Sequence, residues 1–194
     1  MSGLVYFFHG IFWSAFVVRF LRPRGEDDDA SGPRSSGGVR RARHPFLLLA
    51  FHGFAFGAMY QQLLPAVAFP ERHRMFFPSL WPLGALVILA GAGLLGWALW
   101  VFGSWRLLAK IGAEHRLCTD GPYQWVRHPI YVACDLLALG TFLWVPTIGM
   151  CAALLMLVSG HVRMLGEEKV LLDAFGEEYR DYRRQTKRYV PGVI

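Results

Sequence analysis

Lysine is almost missing from this chain: Lys110, Lys169 and Lys187 stand against 17 arginines. Charge of any kind is scarce, at 18% of 194 residues, whereas 54% are hydrophobic. A soluble domain of this size has too small an interior for so much apolar surface, which places the chain in the membrane class. The net charge of +6 is not gathered into a basic stripe interleaved with aromatics, so nucleic acid is not the expected partner. Arginines scattered around apolar runs fit membrane topology and contact with anionic lipid. Cysteine is also sparse. Cys118, Cys134 and Cys151 are odd in number and lack C-x-x-C spacing, so neither a disulfide framework nor a zinc site follows, and no metal is expected. H-E-x-x-H, G-x-S-x-G and phosphate-loop patterns are missing as well, which removes the commonest metalloprotease, hydrolase and nucleotide signatures.

What is present is apolar length. Five stretches approach the ~20 residues of a spanning helix: Gly3 to Leu21, Pro45 to Phe69, Leu80 to Phe102, Pro129 to Trp144 and Thr147 to Val162. Pro146 separates the last two, because it removes a backbone donor and disfavours helix in the residue before it. One helix from Pro129 to Val162, rising ~1.5 Å per residue, would overshoot the bilayer, so a helical hairpin is expected. The opening MSGLVYFFHGIF has no basic region and no small-residue cleavage site, and reads as a retained membrane segment rather than a signal peptide. The expected fold is therefore all-α integral membrane. It has about five transmembrane helices, the last two a hairpin, with a cytoplasmic loop and an amphipathic C-terminal helix forming a cofactor pocket. Residues 1–102 form three N-terminal helices with a flexible loop at 22–44; residues 103–194 form the functional core.

Arginine placement sets the orientation. Arg22, Arg24, Arg34, Arg40, Arg41 and Arg43 fill the first loop, Arg106, Lys110, Arg116 and Arg127 the third, and Arg163 to Arg188 the tail. With five spans these fall on one side, so the N-terminus is expected outside and the C-terminus in the cytoplasm. The arginine-rich composition points to a bacterial source and hence an inner membrane. Gly25 to Gly38, GEDDDASGPRSSGG, reads as a solvated connector. Gly91, Gly93 and Gly96 suit close helix packing. After Arg163, the apolar residues Leu165, Leu171, Leu172, Phe175, Tyr179 and Tyr182 recur at helical spacing among charges, with an interruption expected at Gly176.

Two polar clusters bracket the hairpin. GPYQWVRHPIY, Gly121 to Tyr131, sets Arg127, His128 and Pro129 at one end; Arg163, Glu167 and Glu168 close the other. Ionisable groups near hydrocarbon are costly and persist mainly where they line a site, and a hairpin returns both clusters to one face. Tyr123, Trp125 and Tyr131 offer aromatic faces, His128 a titratable ring, and Arg127 or Arg163 a fork for an anion. Arg163 and Glu167 share a helical face at i,i+4. Asp135, a single intramembrane acid, has two readings: a pair with Arg127 or Arg163, or a contact to substrate. His9 and His52 are expected to hydrogen-bond across the bundle, His44 to anchor the second helix, and His73 to lie in an outer loop.

GPYQWVRHPIY followed by EEKVLLDAFGEEYRDYRRQTKRYVP resembles the C-terminal half of isoprenylcysteine carboxyl methyltransferases and their prokaryotic relatives, over about Glu114 to Pro191. Phospholipid N-methyltransferases share a looser version. The resemblance implies S-adenosyl-L-methionine held at the cytoplasmic end of the last helices. His115, Arg116, Leu117 and Cys118 would approach it from the loop; Tyr123, His128, Pro129, Ile130 and Tyr131 would wall its pocket; and Glu167 would contact its polar end. Arg163 would face the methyl acceptor, with His128 the second catalytic candidate and, beside Glu168, a base for an amine acceptor. Asp135 would join the substrate side. The implied partner is a lipophilic small molecule or lipid offering a carboxylate or thiol. The runner-up is phospholipid amine N-methylation; a non-catalytic ligand-binding membrane protein is the alternative from another class. Oligomeric state has no signature here.

Overall fold

The structure, a computed structural model, describes residues 2–21, 40–41, 45–73, 75–102, 110–111 and 116–189. It is all-helical in architecture: α1 Ser2–Leu21, α2 Pro45–Ala68, α3 Trp81–Val101, α4 Pro129–Trp144, α5 Leu154–Phe175 and α6 Glu177–Gln185. Short 3-10 turns lie at Pro70–Arg72, Gly121–Gln124 and Ile148–Ala153. Besides isolated bridges, the described residues hold one extended pairing, β1 (Arg40–Arg41) against β2 (Lys110–Ile111).

The helix boundaries follow local chemistry. Pro129 opens α4 in its first turn, where its missing N–H is no loss. The chain leaves α4 just before Pro146, and the carbonyls freed there are taken up by the segment that leads into α3. Leu80 N–H donates to Leu143 O at 2.9 Å, Phe76 N–H to Pro146 O at 2.8 Å, and Ser79 Oγ to Trp144 O at 2.5 Å. Gly176, at φ +57°, ends α5 and starts α6 in a conformation few other residues adopt. The fifth apolar stretch differs from expectation. It begins as the 3-10 turn Ile148–Ala153, and its α-helix continues beyond Val162 to Phe175, so the polar Arg163–Glu168 cluster and the first amphipathic turns belong to one unbroken helix.

Among the described residues, two helices, over Gly3–Leu21 and Trp81–Val101, are long and apolar enough to cross a membrane, and α4 is apolar over 16 residues. Apolar side chains on both remain exposed: Phe7, Val17 and Val18 on α1 and Leu83 and Leu86 on α3. Apolar surface of that extent is rarely left open to water and suits contact with hydrocarbon.

Helices α3 and α4 cross in backbone contact. A Cβ on Gly84 would fall 2.6 Å from Gly140 O, and one on Gly140 would fall 2.7 Å from Gly84 O. Gly91 makes a second such contact, 3.0 Å from Ala133 O. Small residues let the backbones meet, which is how helices gain packing energy where lipid is as apolar as their side chains. Of the three glycines expected to serve packing, only Gly91 does so; Gly93 and Gly96 face open space. The run Gly91 to Gly96 also spells G-x-G-x-x-G, but it lies inside α3 with no helix N-terminus to receive a phosphate.

Two histidines tie helices together inside the bundle, as expected. His9 Nδ1 and Trp13 Nε1 both reach Tyr60 Oη at 2.6 Å, and His9 Nε2 lies 2.9 Å from Thr141 Oγ1, linking α1, α2 and α4. His52 Nδ1 lies 2.9 Å from Ser159 Oγ, linking α2 to α5.

Candidate functional site

The Gly121–Gln124 turn is pressed beneath the end of α3. Gly121 has φ +57°, and a Cβ there would sit 2.9 Å from Val101 Cγ2 and 3.1 Å from Trp97 Nε1, so both conformation and space call for glycine. The turn buries Tyr123 against Phe102, ring centroids 5.6 Å apart, and Tyr182 Oη donates to Tyr123 O at 2.6 Å. Gly121 therefore fixes where the following Arg-His-Pro emerges.

The clusters bracketing the fourth and fifth apolar stretches meet, and Glu167 and Glu168, about 100° apart around α5 at 3.6 residues per turn, divide them. Glu168 receives Arg127 Nε at 3.1 Å and Nη2 at 2.9 Å, and Arg188 Nε at 3.0 Å and Nη2 at 2.8 Å. His128 Nε2 stands 3.5 Å away. Burial pushes the Glu168 carboxyl upward, but His128, Arg188 and Arg127 outweigh it and hold the group well below its ordinary 4.5. A carboxylate so saturated is a poor proton acceptor, which removes Glu168 as the base for an amine. Glu167 faces the other way, accepting Tyr131 Oη at 2.7 Å and Arg163 Nε at 3.2 Å. The Arg163 guanidinium lies 5.9 Å from the Tyr131 ring centroid, and the His128 and His52 rings flank that ring at 5.8 and 5.7 Å.

A third element, absent from the sequence reading, completes the corner. The tail after α6 lays itself along residues 126–127: Val126 bridges Lys187, and Arg127 N–H donates to Lys187 O at 2.8 Å. Arg127 Nη1 also donates to the carbonyls of Thr186 and Arg183. Arg188 and Thr186 are thus structural partners that no local spacing announces.

The remaining expected residues separate. Leu117 is buried against Val170, Ala174, Phe175 and Tyr179, between the loop and the α5–α6 junction. Cys118 packs with Ala98 and Tyr123; burial pushes its thiol up to about 11, so it is neutral near pH 7 and no nucleophile. Pro129 is buried and Ile130 half-buried. Arg116 is half-buried, while His115 lies outside the described residues. Asp135 is buried in α4, and the pair envisaged with Arg127 or Arg163 does not form: among the described residues its Oδ2 has no hydrogen-bond partner. The same holds for Tyr123 Oη and Arg116 Nε, whereas the nearest acceptor to His128 Nε2 is the Glu168 carboxylate at 3.5 Å.

Residues 81–178, about half of the chain and the whole of this corner up to the start of α6, match the phospholipid methyltransferase family. The chain belongs to that family. It is 36% identical over 87 residues to the protein-S-isoprenylcysteine O-methyltransferase of Schizosaccharomyces pombe, covering 43% of this chain and 36% of that protein. It is 37% identical over 81 residues to the Mus musculus protein of the same name, covering 41% and 29%. A probable protein-S-isoprenylcysteine O-methyltransferase of Oryza sativa subsp. indica is 30% identical over 141 residues, 70% of this chain and 73% of that one. The chain spans about a third of the length of the first two relatives.

Proposed function

We propose that the protein is an integral-membrane S-adenosyl-L-methionine-dependent methyltransferase acting on a lipophilic small acceptor with a carboxylate or thiol. In this reading five spans carry the chain, the last two as a hairpin in a bacterial inner membrane, with the N-terminus outside. Residues 1–102 are the membrane platform and 103–194 the catalytic core. The observation that carries it is the Tyr131–Glu167–Arg163 cluster. A buried guanidinium and a buried phenol share one carboxylate beside an aromatic wall, within the family-matched segment.

The cofactor fits the unpartnered atoms. Tyr123 Oη and Arg116 Nε are buried polar groups without a hydrogen-bond partner among the described residues, and such groups are costly unless a ligand or water completes them. Tyr123, His128, Pro129, Ile130 and Tyr131 would wall the site, with Arg116, Leu117 and Cys118 behind the loop, His115 approaching from it, and Glu167 at the polar end. When bound, the cofactor supplies an electrophilic methyl on a sulfonium. Arg163 orients an anionic acceptor and cannot act as a base, because guanidinium stays protonated. Tyr131 holds Glu167 in place, and Glu167 in turn fixes Arg163 at i,i+4. A carboxylate or thiolate needs no proton removed in the step, so alignment and exclusion of water supply most of the rate.

Calorimetry with S-adenosylhomocysteine on the purified protein tests this. Binding by the intact chain, weakened at least tenfold by Glu167→Ala, is expected; no binding by the intact chain ends the methyltransferase reading. In a labelled-methyl assay on membrane extract, Arg163→Ala is expected to lose turnover far more than cofactor affinity.

A further inference from the structure

His52 reaches the corner from α2, outside the residues 81–178 that match the family. It is 8% exposed. Its ring packs nearly perpendicular to Phe56 of its own helix, centroids 5.1 Å apart, and to Tyr131 of α4, centroids 5.7 Å apart. The orientation of that ring is set from α5. Ser159 Oγ donates to Met156 O at 3.1 Å and lies 2.9 Å from His52 Nδ1. With the hydroxyl proton directed at that carbonyl, the imidazole is the donor in the second bond. Gly160, the next residue of α5, brings the helix backbone up to both rings: a Cβ there would sit 3.4 Å from Tyr131 Cδ1 and 3.9 Å from His52 Cε1. Ser159 and Arg163 stand at i,i+4, on one face of α5 and about 6 Å apart along it.

Tyr131 carries this contact to the polar cluster. Its hydroxyl donates to Glu167 at 2.7 Å, and Glu167 accepts from Arg163 Nε at 3.2 Å. A phenol turns on two side-chain torsions, so a ring without support would swing its hydroxyl off the carboxylate. Groups that must align reactants need such support behind them, because ~1 Å of misplacement costs about a hundredfold. A residue that merely joined α2 to α5 would use the Ser159 bond and have no need of α4.

We propose that His52 is a positioning residue of the site: anchored on Ser159, it holds the Tyr131 ring so that the phenol stays on Glu167 and Glu167 on Arg163. Helix α2 is then part of the active site as well as of the membrane platform. The assignment rests on the methyltransferase reading, in which Glu167 contacts the cofactor.

Calorimetry with S-adenosylhomocysteine on the purified full chain tests this, with thermal unfolding followed on the same samples. His52→Asn keeps a donor for Ser159 but has no ring; it should bind roughly three- to tenfold more weakly, the worth of an aromatic pair. His52→Phe keeps the ring and loses the bond. It should bind within about twofold of the intact protein while unfolding at a lower temperature, and Ser159→Ala should do the same. Tyr131→Phe cuts the connection to Glu167, so adding His52→Asn to it should weaken binding no further. Weakened binding by His52→Phe with full affinity in His52→Asn would make the residue a helix tie and overturn the proposal, as would additive losses in the double variant. No binding by the intact chain removes the methyltransferase reading and this role with it. Equal binding by the intact chain and His52→Asn removes the role alone.

Discussion

The two polar regions of this molecule are built on opposite terms. Inside the bundle, His9, Trp13, Tyr60 and Thr141 close a network in which each named side-chain polar atom has a partner within 2.9 Å. At the corner where α4, α5 and the tail meet, Glu168 is held by four hydrogen bonds and Glu167 by two, yet Tyr123 Oη and Arg116 Nε are buried and without a hydrogen-bond partner among the described residues. A satisfied network joins helices and is complete without any further molecule. A rigid corner with polar atoms left over is organised around something that arrives later. The difference separates holding from binding within one chain, and it can be pushed until it breaks.

The largest effect is expected at Glu168. Replacing it with alanine leaves Arg127, Arg188 and His128 facing one another without a counter-charge, and removing one partner of a buried pair costs about 3–5 kcal/mol. Denaturation in detergent micelles measures this. Glu167→Ala, one residue away but half-buried with two partners, should cost less than half as much. The same logic fixes a pH dependence. The Glu168 carboxyl is held below its ordinary 4.5, so its contribution is fully present above that value and is lost as the solution is acidified below it. The Glu168→Ala variant should lack this acid-side loss; an identical acid profile in both proteins would remove Glu168 as the hub of the corner.

A smaller loss is expected at the α3–α4 crossing. Gly84→Ala places a methyl 2.6 Å from Gly140 O, a backbone atom that cannot swing away, and overpacking of this kind costs about 1–3 kcal/mol. Gly93→Ala on the same helix meets nothing within 4 Å and should be neutral or slightly stabilising, since alanine is the better helix former. Thermal stability of the two variants side by side distinguishes contact from mere helix composition.

Local grammar carried much of this fold. Pro146 and Gly176 break the chain where their backbone restrictions require, Pro129 starts a helix, and the i,i+4 spacing of Arg163 and Glu167 put them in contact. The meeting of the two bracketing clusters was also legible, because apolar length between polar ends implies a return. The partition of the Glu167–Glu168 pair was not, since it depends on which residues approach α5 from outside. Nor was Arg188, whose bond to Glu168 arises from a single bridge between Val126 and Lys187, too short to leave a periodic signal. Gly84 and Gly140 sit 56 positions apart and carry no shared pattern; Gly91, Gly93 and Gly96 look alike in sequence, and only the crossing point tells them apart. The end of the fifth apolar stretch was misread because charge begins at Arg163, whereas helix continuity is set by hydrogen bonds that charged side chains do not interrupt.

One substitution made in both regions gives the finest discrimination. Tyr60→Phe deletes a hydroxyl that serves His9 and Trp13 at once, leaving two ring nitrogens facing hydrocarbon. Each hydrogen bond between membrane helices is worth about 0.6 kcal/mol on average, so a loss near 1 kcal/mol is expected, with S-adenosylhomocysteine affinity unchanged. Tyr123→Phe deletes a hydroxyl that has no hydrogen-bond partner among the described residues. Relieving a buried unpaired group should leave stability level or slightly raised, while ligand affinity falls by roughly tenfold if that hydroxyl completes the cofactor pocket. Opposite signatures from the same chemical change would establish that the first tyrosine ties helices together and the second waits for a ligand. If Tyr123→Phe destabilised the protein as Tyr60→Phe does and bound the ligand normally, the corner would be a second structural network, and the cofactor would have to be sought elsewhere.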